Sequence, residues 1–352
     1  MKRLRLSVIL FFAAVIFTGC ATAKPNEGGI SKQADPMNRA FLRMNTDMHQ
    51  AMINRISIDA KERYLLTGST DKTMKMWNIA SGKLIRTFRF PISDGNEGRI
   101  NAVALSPDGR FAAAGGWTGQ DFNESVSVYI FDISSGAMVR RIPGLPSSVH
   151  HLVYSPDGAI LAIGLGSTYG IRLVETTSGN EVFSDAHYGG KCDSLIFSPK
   201  GGLVSASSDG NIRMYDAQYK LVKQMQGEGG RKPYSLSFTQ DGLIFAAGYS
   251  DSTRIDCYSK EGEYLYSPDT KNLTGGNLSA VSFSSQGRLY AGGSYGKVGS
   301  PILIWENNGK GSRKEIAAAE NTIMQIWCCI KHCIILIQSV VCDRPACVSY
   351  DI

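Results

Sequence analysis

The chain has 352 residues, 43% of them hydrophobic and 19% charged, with 38 glycines, 15 tyrosines and 14 phenylalanines. This is the composition of a folded globular chain, not a disordered one, and abundant glycine and aromatics in short apolar runs favour strands over helices. Of the six net positive charges, Lys2, Arg3 and Arg5 supply three, and the rest of the chain intersperses both signs without the basic stripe that nucleic-acid binding requires.

Taken in order, the first element is "MKRLRLSVILFFAAVIFTGC", a basic start followed by an apolar run from Leu6 to Phe17. It reads as an export signal over residues 1–19, too short for a comfortable membrane span. Phe17-Thr18-Gly19-Cys20 resembles the lipobox of bacterial lipoproteins, with Phe where that family usually has Leu. The resemblance implies cleavage before Cys20 and lipidation of Cys20. One acyl chain binds a membrane only marginally, with a constant of about 10⁴ M⁻¹, whereas two or more hold stably. Ala21 is not the Asp that retains such proteins at the inner membrane, so the resemblance implies an outer-membrane anchor facing the periplasm. Cleavage after Ala21-Thr22-Ala23 is the alternative and would leave a soluble periplasmic or secreted protein. Residues 20–38, polar with Gly and Pro, read as a flexible tether.

Residues 39–352 are repetitive. "SPDG" occurs at Ser106–Gly109 and Ser155–Gly158, "SPKG" at Ser198–Gly201, and degenerate copies at Thr239–Gly242 and Ser284–Gly287. Pro presets φ and Gly supplies φ > 0, so each reads as a hairpin turn between two short apolar strands. A second marker is a strand ending in a bulky residue: Trp77, Phe131, Val174, Tyr215, Cys257, Trp305 and Tyr350, at spacings of 41 to 54 residues.

This pattern strongly resembles the WD40 repeat, in which about 40–45 residues form one four-stranded propeller blade. "YLLTGSTDKTMKMWNIASGKLIRTF" is a close match by itself. The resemblance implies an all-β, seven-bladed propeller. The last marker lies in a third strand, so Phe41-Leu42-Arg43-Met44 is expected to close the last blade from the N-terminal side, removing exposed edges.

His49, Thr67, Asp71 and Trp77 have the residue types of a catalytic triad, but the resemblance implies a buried structural hydrogen-bond chain in blade one, with a weaker version in blade four from His187, Ser205, Asp209 and Tyr215. His150 and His151 are adjacent on a strand and point to opposite faces, which does not suit one metal. Gly292-Gly293-Ser294-Tyr295-Gly296 matches G-x-S-x-G but lies between strands, not at a strand–helix elbow. No metal or cofactor site is expected. Aromatics follow small residues after the second strand of four blades: Trp117, Tyr169, Tyr249 and Tyr295. The resemblance places these loops on the partner-binding face, and aromatics with a polar handle suit binding anchors; packing between blades is the alternative.

The expected function is a non-enzymatic platform in the cell envelope, binding a protein or peptide, with membrane contact through the lipid only and neither nucleic acid nor a small-molecule substrate. A regulatory propeller belonging to a larger caspase-like peptidase is the alternative, from the resemblance of "GRINAVALSPDGRFAAAGGWTG" and "GNLSAVSFSSQGRLYAGG" to bacterial WD40 proteins. A propeller hydrolase is the least favoured. The tail from Trp327 to Cys347 holds five cysteines and reads as the last blade; Cys329 with Cys333, and Cys342 with Cys347, flank its two turns, where a local disulfide is conceivable in an exported chain.

Overall fold

The repeated hairpin turn is built by its serine. Ser106 Oγ donates to Asp108 Oδ1 (2.6 Å) and accepts the Phe111 N–H (2.9 Å), and Gly109 closes the turn at φ +71°. Ser155, Asp157 and Ile160 repeat the arrangement, as do Thr239, Asp241 and Ile244. A computed structural model describes residues 8–9, 48–273, 275–294, 300–316, 323–328, 332–337 and 346–351; for 8–9, 122–123, 323–324, 327–328, 332–337 and 346–351 it describes the backbone alone.

Such hairpins fold consecutive strands into antiparallel sheets. Six complete blades of four consecutive strands follow one another. They begin with the inner strands Ile53–Ile58, Arg99–Leu105, Val149–Tyr154, Cys192–Phe197, Pro233–Phe238 and Ala280–Phe283, and they end with the outer strands Leu84–Arg89, Met138–Leu145, Glu181–Asp185, Leu221–Gln226, Tyr264–Tyr266 and Arg313–Ile316. The molecule is therefore an all-β propeller. Seven blades were expected from the repeat. A last sheet does hold the strands Ile323–Cys328, His332–Ile337 and Ala346–Asp351, but its fourth member does not follow on in the chain. The stretch Val8–Ile9 pairs there, with Val8 opposite Tyr350, because an antiparallel edge accepts any extended segment that reaches it. Residues 41–44 lie outside the described residues. In the tail, Cys328 is the cross-strand neighbour of Cys333; Cys329 and Cys342, expected to flank the turns, lie outside the described residues.

The core is divided into layers between neighbouring blades. Phe88 and Phe90 of blade 1 pack on Phe131 of blade 2, both with ring centroids 5.2 Å apart, and Val149, Leu152 and Leu165 of blade 3 meet Val126 and Val128 of blade 2. The inner strands of blades 2 and 3 lie so close to the second strand of the blade before them that a side chain there is excluded. A Cβ at Gly68 would stand 2.5 Å from Val103, and one at Gly115 would stand 2.9 Å from Val149. This close approach explains the "TGS" and "AGG" strings of the second strands.

Inner strands contact one another in cyclic order, and Ile323–Cys328 touches the inner strands of both blade 6 and blade 1. Each inner strand has a sheet partner on one side only, and in blades 1, 2 and 6 side chains of the preceding sheet bond N–H groups on its other edge. Ser57 Oγ accepts the Leu105 N–H (3.0 Å), Ser235 Oγ the Val281 N–H (2.9 Å) and Ser237 Oγ the Phe283 N–H (2.8 Å). The ring closes through Gln325, whose Oε1 accepts the Ile56 N–H (2.9 Å) while its Nε2 donates to the Ile56 carbonyl (3.4 Å). Gln325→Met should leave both Ile56 groups unsatisfied and cost about 1–3 kcal/mol, read from urea denaturation; an unchanged midpoint would show that the ring does not depend on this contact.

Candidate functional site

The upper face is the end of the propeller where the inner strands begin and the second strands finish. In blade 1 it holds a hydrogen-bond chain. Asp71 Oδ2 accepts from His49 Nδ1 (2.8 Å), Thr67 Oγ1 lies 2.7 Å from His49 Nε2, and Trp77 Nε1 donates to Thr67 Oγ1 (3.0 Å). All four sequence-derived residues thus come together. Burial alone would raise the Asp71 pKa, but the hydrogen bonds of His49, Thr73 and the Gln50 N–H hold it at about 2. Thr67 and His49 are buried, and the Thr67 oxygen already receives the Trp77 N–H, so a substrate has no approach to a nucleophile here.

Blade 4 differs from the reading of its sequence. The Gln50 N–H meets Asp71 Oδ2 at 2.9 Å, and the Gly189 N–H meets Asp209 Oδ2 at 2.9 Å, so Tyr188 and not His187 is the counterpart of His49. Tyr188 OH lies 2.6 Å from Ser205 Oγ and 3.0 Å from Tyr215 OH, and Tyr215 OH donates to Asp185 Oδ2 (2.8 Å). Asp209 instead pairs with Arg213 (2.7 Å), whose guanidinium sits 4.0 Å from the centroid of the Tyr188 ring. His187, one residue away, has a side chain 98% exposed.

Blade 5 fills the same space in another way. Gly230 leaves room for the ring of Tyr249, which is fully buried and is thereby corrected from anchor to core. Tyr249 OH and Tyr258 OH donate to Asp256 Oδ2 at 2.6 and 3.0 Å. Tyr258, opposite Phe245, also occupies the marker position read from sequence as Cys257; Cys257 is a buried free thiol one residue before it.

Two of the four expected anchors are exposed. Trp117 and Tyr169 are each 43% accessible, while Tyr295 lies outside the described residues. Trp117 ends a strand whose following loop is pinned by a buried carboxylate. Glu97 accepts the N–H groups of Gly119 (2.5 Å) and Asp121 (3.3 Å), and the Gly98 N–H donates to the Trp117 carbonyl (2.6 Å). A Cβ on Gly98 would touch Ile92, which is itself 54% exposed, so Ile92 and Trp117 flank one glycine at the rim. Among the described residues the next element after Ser294 of the G-x-S-x-G string is the strand Ile302–Trp305, and the Ser294 N–H donates to Asn277 Oδ1 (3.3 Å).

A feature missed from the sequence lies at the inner rim. In blades 1 to 5 and in the last sheet, the pairing of the inner strand slips by one residue near its start. Such bulges re-aim a side chain. They fall at Asn54, Asn101, His150, Asp193, Tyr234 and Met324. Asn54 Nδ2 donates to the Ile100 carbonyl (2.7 Å), and Lys191 pairs with Asp193 (2.8 Å). Burial, then Lys191 and Arg55, lowers the His150 pKa to about 4, so His150 is neutral at neutral pH. The signal was legible as the parallel strings "INRI", "INAV", "VHHL", "CDSL" and "PYSL". Among the described residues, no group of three or more His, Cys, Asp or Glu is placed to hold a metal ion.

The family model described as "WD domain, G-beta repeat" matches residues 43–78, 82–121 and 180–216. The chain therefore carries WD40 repeats, and its relatives are WD-repeat proteins. It is 30% identical over 178 residues to the WD repeat-containing protein VIP3 of Arabidopsis thaliana, covering 46% of this chain and 52% of that one. It is 26% identical over 196 residues to the small ribosomal subunit protein RACK1y of Oryza sativa subsp. japonica, covering 54% and 42%. It is 21% identical over 266 residues to the eukaryotic translation initiation factor 3 subunit I of Drosophila mojavensis, covering 70% and 80%. The chain spans about half the length of the first two of these relatives.

Tyr188→Phe should remove a buried hydroxyl bonded to Ser205 and Tyr215 and lower stability by about 1–3 kcal/mol in denaturant titration. His187→Ala should stay within about 0.5 kcal/mol of the parent, as an exposed site does. Equal effects would contradict the alignment of Tyr188 with His49.

Proposed function

We propose that this protein is a non-enzymatic, lipid-tethered interaction platform of the cell envelope, a seven-bladed propeller that presents its upper face to a protein partner. The observation that carries the reading is the contrast between two aromatics at the ends of second strands, where Tyr249 matches Gly116 in register and Trp117 lies one residue further on. Tyr249 is buried in a hydrogen-bonded core position, whereas Trp117 stands 43% exposed before a loop whose Gly119 and Asp121 N–H groups a buried glutamate accepts. A rigid, half-exposed aromatic gives contact area at little cost in conformational entropy, which is the property of a binding hot spot. The names of two relatives, a small ribosomal subunit protein and a subunit of a translation initiation factor, describe components of larger assemblies, in keeping with a role through protein contacts. The seventh blade completes the ring, and after removal of the export signal, which includes Val8 and Ile9, residues 41–44 take over its outer edge.

The upper-face reading is tested by photo-crosslinking in cells from a probe amino acid placed at Tyr169. A discrete crosslinked partner band should appear and should fall at least about tenfold with Trp117→Ala, while the melting temperature stays unchanged; a melting point lowered by Trp117→Ala would place Trp117 in packing instead.

The tether is tested separately. Cys20→Ser should move the protein from the membrane pellet to the soluble fraction and abolish incorporation of labelled palmitate; retention in the pellet without label would refute lipidation.

A further inference from the structure

The inner strands enclose a cavity of about 480 Å³. Its wall is largely apolar, with Ile56, Val103, Leu152, Leu236 and Val281 among the lining side chains. Cavities of about 300–1,000 Å³ with apolar walls and a few fixed polar groups are the usual form of a small-molecule site. Arg55 is the charged residue of this wall: the other lining residues are apolar side chains, hydroxyls, Gln325 and His151, whose imidazole is kept neutral by burial and by Arg55 itself.

Arg55 has no carboxylate partner among the described residues. Its Nη2 donates to the carbonyls of His150 (3.1 Å) and Asp193 (3.3 Å), in blades 3 and 4 across the channel, and its Nε has no partner. The carboxylate of Asp193 feels the charge of Arg55 but is held by Lys191 at 2.8 Å. A guanidinium carries five N–H donors in a planar fork suited to a carboxylate, and carbonyl contacts at one nitrogen leave most of that fork unused. His151 Nδ1 and the Tyr154 hydroxyl, on the same wall, are also without partners. Arg55 is half-buried, and a guanidinium partly withdrawn from water gains from an entering anion that pairs with its unused donors.

We propose that the central channel is a binding site for a small organic carboxylate, with its carboxylate on Arg55 and its apolar body against the inner strands. One guanidinium and no lysine in the wall balance a single negative charge, which disfavours a phosphate dianion, and the apolar wall favours a carbon chain over an inorganic ion. Ala60, Pro107 and Pro156, at the turns leaving the inner strands, line the lower end. The ligand therefore enters from the face opposite Trp117 and Tyr169, and the site is independent of the partner surface.

The probes are pentanoate and its neutral isostere pentanamide, titrated into the full chain and followed by saturation-transfer NMR. Pentanoate should bind at least about tenfold more tightly than pentanamide. Arg55→Met should erase that preference, and Arg55→Lys, which keeps the charge but not the fork, should retain part of it. Because Arg55 also ties blade 1 to blades 3 and 4, a second variant keeps its hydrogen bonds intact: Val153→Trp, at a half-buried lining position, should fill the channel and abolish pentanoate binding. The proposal is overturned if pentanoate shows no saturable binding, if acid and amide bind equally, if folded Arg55→Met keeps the preference, or if Val153→Trp binds pentanoate unchanged.

Discussion

An inner strand of a radial sheet has a hydrogen-bonding neighbour on one side and the channel on the other. Its free edge must be satisfied without a further strand, and the rest of this structure follows from how that is done. Here the preceding blade lends side chains: Ser57 to Leu105, Ser235 to Val281, Ser237 to Phe283, and finally Gln325 to Ile56. These contacts need the inner strands to lie close together, and that closeness excludes a Cβ at Gly68 and Gly115. Hydrogen bonding at the centre and small residues in the second strand are therefore one constraint seen twice.

The same closeness divides labour between the layers. Apolar contacts between blades supply most of the burial, while the upper rim holds polar chains that fix one blade's loops. Three solutions to one position are visible: His49 in blade 1, Tyr188 in blade 4, and the ring of Tyr249 over Gly230 in blade 5. Each reaches the third-strand aromatic Trp77, Tyr215 or Tyr258, in blade 1 through Thr67. Burial pushes the hydroxyls of Tyr188, Tyr215 and Tyr249 upward, so they remain donors and acceptors and never charges in the core. Trp117 on the upper rim, and Arg55 inside the channel with its Nε unpaired, are where chemistry with another molecule has room.

Much of this was legible before any coordinates. The turn strings announce the hairpins because Pro and Gly have few alternatives there, and the third-strand aromatics announce the blade period because one bulky residue caps each layer. The hydrogen-bond chain of His49, Thr67, Asp71 and Trp77 could be listed by residue type. Its counterpart in blade 4 could not, since one residue separates Tyr188 from His187 and both are plausible hydrogen-bond partners. The backbone contact of Asp209 with Gly189 decides between them, and nothing local in the sequence encodes it.

The sequence by itself determined the repeat, its strand order and the β character of the chain, because period, turn chemistry and strand propensity are local properties. Which aromatics face solvent, which residues bulge into the inner rim, and that Arg55 reaches across the channel to blades 3 and 4 were decided only by the tertiary structure. Tyr249 aligns in register with Gly116, so Trp117, one residue further on, faces the other way and is exposed, whereas the ring of Tyr249 is buried in the space that Gly230 leaves. Exposure and partnership depend on what other segments bring to the same place, and that is set by how the blades close into a ring.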